Sequence, residues 1–224
     1  MTVSVILPCY NEKRRILPII KELKKSKLVS EIIVVDDGSE VETKNILKKI
    51  NGITLITHPK NAGKSQAMKT GLLHSKGDII AYLDSDLQHF TSMHIDDLVK
   101  PIINNDCDLT LSDRTKDLYI LRGFSAAFTG ERAAKRELFT KNLSIFKAKG
   151  FLIEASMNKK FFKNKKIKIQ RVTFRNVCSY LKVKKLGIKG QIQDINMFSD
   201  MVKYLGIKEM AHQVYTAMML PFAK

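Results

Sequence analysis

The stretch Asp78-Ile79-Ile80-Ala81-Tyr82-Leu83-Asp84-Ser85-Asp86-Leu87-Gln88-His89 runs a continuous apolar segment into two carboxylates one residue apart. An apolar run of this length, without strict alternation, reads as a strand covered on both faces. Similar runs recur at Val3 to Leu7, Glu31 to Val35, Ile53 to Thr57 and Asp108 to Leu111. Between them lie segments with helical spacing: Ile16, Ile19, Ile20 and Leu23; Ile46, Leu47 and Ile50; Met68, Leu72 and Leu73; Ile95, Leu98, Val99 and Ile102. This alternation predicts an α/β fold, a mostly parallel Rossmann-like sheet with helices on both faces. Such sheets bind ligands beyond the carboxyl ends of their strands, so the residues after each strand carry the functional information.

The chain has 224 residues, 44% hydrophobic and 27% charged, which is too apolar for a disordered basic tail and sufficient for one core. Its net charge of +17 is unevenly placed: residues 1–112 hold 15 Lys and Arg against 14 Asp and Glu, and residues 113–224 hold 24 against 8. Cys9, Cys107 and Cys178 stand singly, without zinc-site spacing, and read as reduced thiols of a cytosolic protein. No segment approaches the roughly 18 apolar residues of a membrane span, and Met1-Thr2-Val3-Ser4 does not begin as a charged leader. In the second half, Ala126 to Phe139, Phe151 to Phe162 and Ile195 to Leu205 read as helical. Lys166 to Val172 alternates as an edge strand, and an apolar tail ends in Met218-Met219-Leu220-Pro221-Phe222.

The first strand runs into Pro8-Cys9-Tyr10-Asn11-Glu12, with no glycine before Gly38, which excludes the glycine-rich dinucleotide fingerprint. Asn11 could cap the next helix, but Tyr10 and Glu12 exceed what a cap needs. The second strand ends in Asp36-Asp37-Gly38-Ser39, two acids suited to ribose hydroxyls or a nucleobase imide. Gly63-Lys64-Ser65 imitates the end of a phosphate-binding P-loop, but His58 stands where that loop needs glycine. Lys64 at a helix start remains suited to a diphosphate. Asp84 and Asp86 can converge on one hard divalent cation, with a carbonyl oxygen from Gln88.

Taken together, Pro8-Cys9-Tyr10-Asn11-Glu12, Val35-Asp36-Asp37-Gly38-Ser39, Asn61-Ala62-Gly63-Lys64 and Asp84-Ser85-Asp86 resemble, in this order, the motifs of glycosyltransferase family 2, of GT-A type. Leu83 to His89 is most similar to the polyprenyl-phosphate branch, typified by dolichyl-phosphate mannose synthase. Further on, Ser112-Asp113-Arg114, Thr129-Gly130-Glu131-Arg132-Ala133 and Gly150-Phe151-Leu152-Ile153-Glu154 resemble that branch more thinly. The resemblance implies that Pro8, Tyr10, Glu12 and Asp37 hold the nucleoside, with Lys64 and Asp84 beside it. It implies that Asp84, Asp86 and Gln88 hold Mg²⁺ or Mn²⁺ on the diphosphate, and that Arg114 and Arg132 grip an acceptor phosphate, with Arg122 a rival for that role. Transfer would invert the anomeric carbon. A phosphate acceptor needs no base, being ionised already with a second pKa of about 6, whereas a hydroxyl acceptor would, and Glu131 and Glu154 are the candidates. On this reading residues 1–113 form the nucleotide-sugar half and residues 114–224 the basic acceptor half of one compact domain.

From Lys141 to Lys189 there are 15 Lys and Arg and one acid, Glu154. A solvated face is the plain reading. An anionic membrane surface is preferred to nucleic acid, because a polyprenyl-phosphate acceptor is met at a membrane and no nucleic-acid motif accompanies the charge. The expectation is a glycosyltransferase in the cytoplasm, peripheral on the inner face of the membrane, using a nucleotide-sugar donor and a lipid-phosphate acceptor. The alternatives are the same donor chemistry on a soluble hydroxyl acceptor, a non-catalytic basic membrane- or nucleic-acid-binding module, and a nucleotidyltransferase on a related fold.

Overall fold

The fold is that of a computed structural model, in which residues 1–114, 126–150, 152–179, 196 and 199–223 are described. The strands are β1 (Val3–Cys9), β2 (Val29–Asp36), β3 (Thr54–Thr57), β4 (Ile79–Tyr82), β5 (Leu87–Gln88), β6 (Leu109–Arg114), β7 (Arg132–Lys135), β8 (Ile169–Phe174) and β9 (Cys178–Ser179). The helices are α1 (Ile16–Leu23), α2 (Val41–Leu47), α3 (Lys64–His74), α4 (Ser92–Ile103), α5 (Arg136–Thr140), α6 (Leu152–Phe161) and α7 (Ile207–Met219).

Seven strands form one sheet in the order β3-β2-β1-β4-β7-β6-β8, while β5 and β9 make a small separate pair. The β1–β2, β2–β3, β1–β4 and β6–β8 pairs are parallel, and β7 runs antiparallel to both of its neighbours, β4 and β6. Successive strand side chains point to opposite faces, so β1 serves two cores. Val3, Val5 and Leu7 pack with Ile16, Ile19 and Leu23 of α1 and Leu98 of α4. Ile6 packs on the other face with Met68 and Leu72 of α3 and Met157 of α6. Each fully buried aliphatic side chain of this kind contributes about 1.5–3 kcal/mol. Helix α3 comes close enough to β1 that a side chain on Gly71 would overlap Ile6.

The five strands and four helices expected in the first half are present. The second half departs from expectation in three places. Within Ala126 to Phe139, expected to be helical, Arg132–Lys135 is a strand. Ala133 and Ala134 are fully buried in the slot between β4 and β6, where ladder hydrogen bonds on both sides override the helix preference of alanine. The expected edge strand is β8, but its edge is partly covered: Phe222 bridges Arg171, whose N–H donates to Pro221 at 2.8 Å and whose carbonyl accepts from Ala223 at 2.8 Å. The apolar tail is mostly helix α7, preceded by helical residues 199–205, while Ile195 and Phe151 lie outside the described residues.

Candidate active site

The carboxyl ends of β1, β2 and β4 face the same edge of the sheet, as three parallel neighbours must. After β1, Pro8 is half-buried and its carbonyl accepts the Ser85 hydroxyl at 2.8 Å, while Tyr10 is 47% exposed and open to a ligand. Asn11 adopts a left-handed conformation, φ +56°, and does not cap its own helix. Its side-chain oxygen accepts the Glu40 N–H at 2.8 Å, tying the first loop to the start of α2. Glu12 is buried and accepts from Arg15 at 2.8 Å.

Asp37 is also buried, and its carboxylate organises the loop after β3. One oxygen is 2.7 Å from His58 Nδ1 and accepts the Ala62 N–H at 2.9 Å; the other accepts the Gly63 N–H at 2.8 Å. Gly38 is required for this closure, since its φ is +76° and a Cβ there would run into the backbone of Lys60 and Asn61. The loop so fixed delivers Lys64 at the first position of α3.

Lys64 Nζ lies 2.6 Å from Asp84 Oδ1 and 2.7 Å from Glu154 Oε1. Burial opposes the charge on Lys64, but the two carboxylates outweigh it and hold the ammonium above the ordinary lysine value. Burial likewise opposes ionisation of Asp84, and Lys64, helped by Arg114 and Arg132, holds its carboxyl below the usual range. Glu154, 2% exposed, is pushed up by burial despite Lys64 and Arg132.

Gly130 packs so closely on the Asp84 carboxylate that a Cβ would overlap it. Next to Gly130, Glu131 is fully buried. It accepts from Arg114 Nη2 at 2.6 Å, Ser112 at 2.9 Å and Thr129 at 2.5 Å. Burial opposes the charge on Arg114, and Glu131, Asp84 and Asp86 hold its guanidinium charged all the same. Arg132 is 0% exposed, and its guanidinium donates to the Thr129 carbonyl at 2.5 Å and to Asn158 at 3.3 Å. A guanidinium sealed in this way supports the floor of the site and does not present itself to an acceptor phosphate, as the resemblance had implied. Arg122 lies outside the described residues.

Asp86 is half-buried. Gln88, in β5, lines a groove of about 400 Å³ with Arg14, Arg15, Pro18 and His89. A larger groove, of about 830 Å³, opens beside the start of α3 and includes Asn61, Gln66, Lys69, Lys147, Lys149 and Gly150. Among the described residues no three His, Cys, Asp or Glu side chains converge into a metal cage.

The structure thus joins Lys64, Asp84, Glu154, Arg114, Glu131 and Arg132 in one ionic cluster, and leaves Tyr10 exposed after β1. The sequence did not reveal that Lys64 bridges Asp84 to Glu154, that Asn158 and Thr129 hold Arg132, or that Gly130 abuts Asp84. Only the last had a local signal, a glycine inside the Thr129-to-Ala133 motif.

The profile of Glycosyl transferase family 2 matches residues 4–162. Dolichyl-phosphate beta-glucosyltransferase ALG5C of Trichomonas vaginalis is 37% identical over 96 residues, 37% of this chain and 28% of that protein. Glucosyl-3-phosphoglycerate synthase of Mycolicibacterium smegmatis is 34% identical over 116 residues, 48% of this chain and 37% of its own length. The first curated relatives are matched over only 28% to 50% of their length. In three dimensions the chain resembles glucosyl-3-phosphoglycerate synthase of Mycobacterium tuberculosis, solved with Mn²⁺, uridine diphosphate and glucosyl-3-phosphoglycerate. The TM-score is 0.68 at 25% identity, over 85% of this chain and 76% of that one. With the profile spanning the ends of β1, β2, β3 and β4 and the Gly130 and Glu154 segments, and the sheet shared with that synthase, the chain belongs to glycosyl transferase family 2 and has its GT-A fold.

Proposed function

We propose that the protein transfers a sugar from a nucleotide-diphosphate sugar to a lipid phosphate, with inversion and a divalent cation. The observation that carries the acceptor reading is that both candidate bases are already engaged: Glu131 is locked on Arg114, Ser112 and Thr129, and Glu154 sits behind Lys64. An acceptor that arrives ionised needs neither. Its phosphate oxygen forms a bond to the anomeric carbon as the bond to the donor diphosphate breaks, and the electron pair departs with the nucleoside diphosphate.

Asp84 and Asp86 suit Mg²⁺ or Mn²⁺, because they offer hard oxygen donors and Asp84 is held ionised against a glycine that leaves its carboxylate room. When bound, the cation would neutralise charge on the departing diphosphate as a Lewis acid. Mn²⁺ in the related synthase supports the choice of metal, and Gln88, two residues beyond Asp86, would be the third donor. Pro8, Tyr10 and Glu12 lie on the nucleoside side, and Asp37 acts there through the loop it organises. Lys64 orients the Asp84 carboxylate. Arg114, paired with Glu131 and within the charge field of Asp84 and Asp86, would meet the acceptor phosphate, while Arg132 braces it from below. The acceptor's lipid places the protein against the inner face of a membrane. No described helix is long and apolar enough to cross one.

A soluble acceptor that attacks through a hydroxyl is the second reading, favoured by the likeness to glucosyl-3-phosphoglycerate synthase. It would use Glu154, the carboxyl with the raised affinity for a proton. A screen of UDP-, GDP- and ADP-sugars with Mn²⁺, offered either a polyprenyl phosphate in detergent or 3-phosphoglycerate, separates the two. Glycolipid formation, abolished in Asp86→Ala, is the expected result. Transfer only to 3-phosphoglycerate, lost in Glu154→Gln, would replace the lipid reading, and release of pyrophosphate would replace the reaction.

A further inference from the structure

Helix α7 turns its largest apolar residues outward. Its buried positions are Gln213 and Ala217, Val214 packs beside them against Ala126 and Ala127, and Glu209 pairs with Lys163 at 2.9 Å. Its exposed arc carries Ile207, 71% exposed, Ala211, Tyr215 at 63% and Met219 at 66%, which recur every fourth residue along one side. A helix on a water-soluble surface normally shows charged residues there. Exposed aromatic residues flank the helix in sequence, Tyr204 before it and Phe222 after it, the latter with its ring 4.1 Å from the Arg171 guanidinium.

The surroundings of this stripe are basic. Lys163, which holds Glu209, begins a turn in which Lys163, Lys165 and Lys166 are all exposed, and Lys159 lies 5.9 Å from the Tyr204 ring. Lys208 sits within the exposed arc, and the one acid of the helix, Glu209, is partly buried and paired with Lys163. A second copy of the chain would bring these lysines against their own kind. An anionic lipid surface would satisfy the apolar side chains and the lysines together, since such surfaces bind amphipathic helices through buried apolar area plus attraction to their charge.

We propose that the exposed arc of α7, with Tyr204 and Phe222, is a docking face for an anionic membrane, seated by the lysines of the 159–168 segment. The inference deepens the lipid-acceptor reading and rests on it for its purpose, but its test needs no sugar donor. The full chain is sedimented with vesicles of phosphatidylcholine alone or mixed with phosphatidylglycerol. Binding is expected only to the mixed vesicles and should weaken as salt rises from about 0.1 M to about 0.5 M, where screening is strong. Replacing Ile207, Tyr215 and Met219 together by serine should lower binding about tenfold or more, and Lys165→Glu with Lys166→Glu should do so at low salt. Because all five side chains are exposed, melting curves should stay unchanged. Absent binding, or equal binding by the serine variant, overturns the proposal. So does a dimer that the serine variant converts to monomer without any vesicle binding, which would assign the face to a second copy. Donor hydrolysis in vesicle-free solution reports the sugar chemistry separately, so failure of one reading is not mistaken for failure of the other.

Discussion

Lys64 is the side chain on which the site's charge balance turns. Its ammonium stands between Asp84 and Glu154, and removing one partner of a buried pair leaves an uncompensated charge. Lys64→Met is expected to cost on the order of 3 kcal/mol and to lower the melting temperature by several degrees. Mn²⁺ should then raise the melting temperature of the variant more than that of the wild type, because a cation on Asp84 restores part of the lost charge. Equal shifts in calorimetry would show that the lysine is not the carboxylates' counter-ion. Gly130 offers a sharper probe of the same carboxylate. Gly130→Ala should displace Asp84 and weaken binding of the Mn²⁺–nucleotide pair at least about tenfold in titration calorimetry, with little change in far-ultraviolet circular dichroism. Asp84 and Asp86 were legible in the sequence because a strand end announces them. The partners of Asp84 were not, since Glu154 and Gly130 reach it only through tertiary folding.

Among the elements, α3 and β7 show how context decides. Gly71 in mid-helix looks like a weakness, and alanine is the better helix former, yet the close approach of α3 to Ile6 reverses the sign. Gly71→Ala is expected to destabilise by about 1–3 kcal/mol in denaturant titration, with partial recovery when Ile6→Ala makes room. A stabilised Gly71→Ala would mean that helix propensity outweighs the packing. Strands β1 to β4 were readable because each is apolar enough to be covered on both faces. By contrast, β7 reads Arg-Ala-Ala-Lys, which carries no strand signature, and only the vacancy between β4 and β6 makes it one. Helix α7 escaped recognition for a related reason: with Ile207, Tyr215 and Met219 outward and Gln213 inward, its pattern does not mark a buried face.

Over the whole molecule, Asp108 ties three strands of the second half of the sheet. From the start of β6 its carboxylate accepts Lys135 of β7 at 2.9 Å and the Lys168 N–H, just before β8, at 3.0 Å. Partial burial opposes ionisation, but these two donors hold the Asp108 carboxyl below its ordinary value of 3.8. The stability it confers is therefore complete above that value and is lost as pH falls through the lower native one. Calorimetry from neutral pH downward should show the melting temperature of the wild type falling below about pH 4 more steeply than that of Asp108→Asn. Parallel curves would remove Asp108 from the acid response. The +17 charge, at first a property of the entire chain, is concentrated after residue 112, where Lys163, Lys165, Lys166 and Lys208 are exposed.

The central place of β7 also bears on the order in which the molecule is made. Strand β4 pairs with β1 on one side, but its other side has no partner until residues 132–135 leave the ribosome, some fifty positions later. Until then a nascent chain presents an open, apolar strand edge, the kind of surface that invites mispairing. Insertion of one short antiparallel strand closes that edge, brings Glu131 onto Arg114 and sets Gly130 against Asp84 in a single event. Closure of the β4 edge and assembly of these contacts around Asp84 are thus expected to arrive together, before β8 joins the sheet.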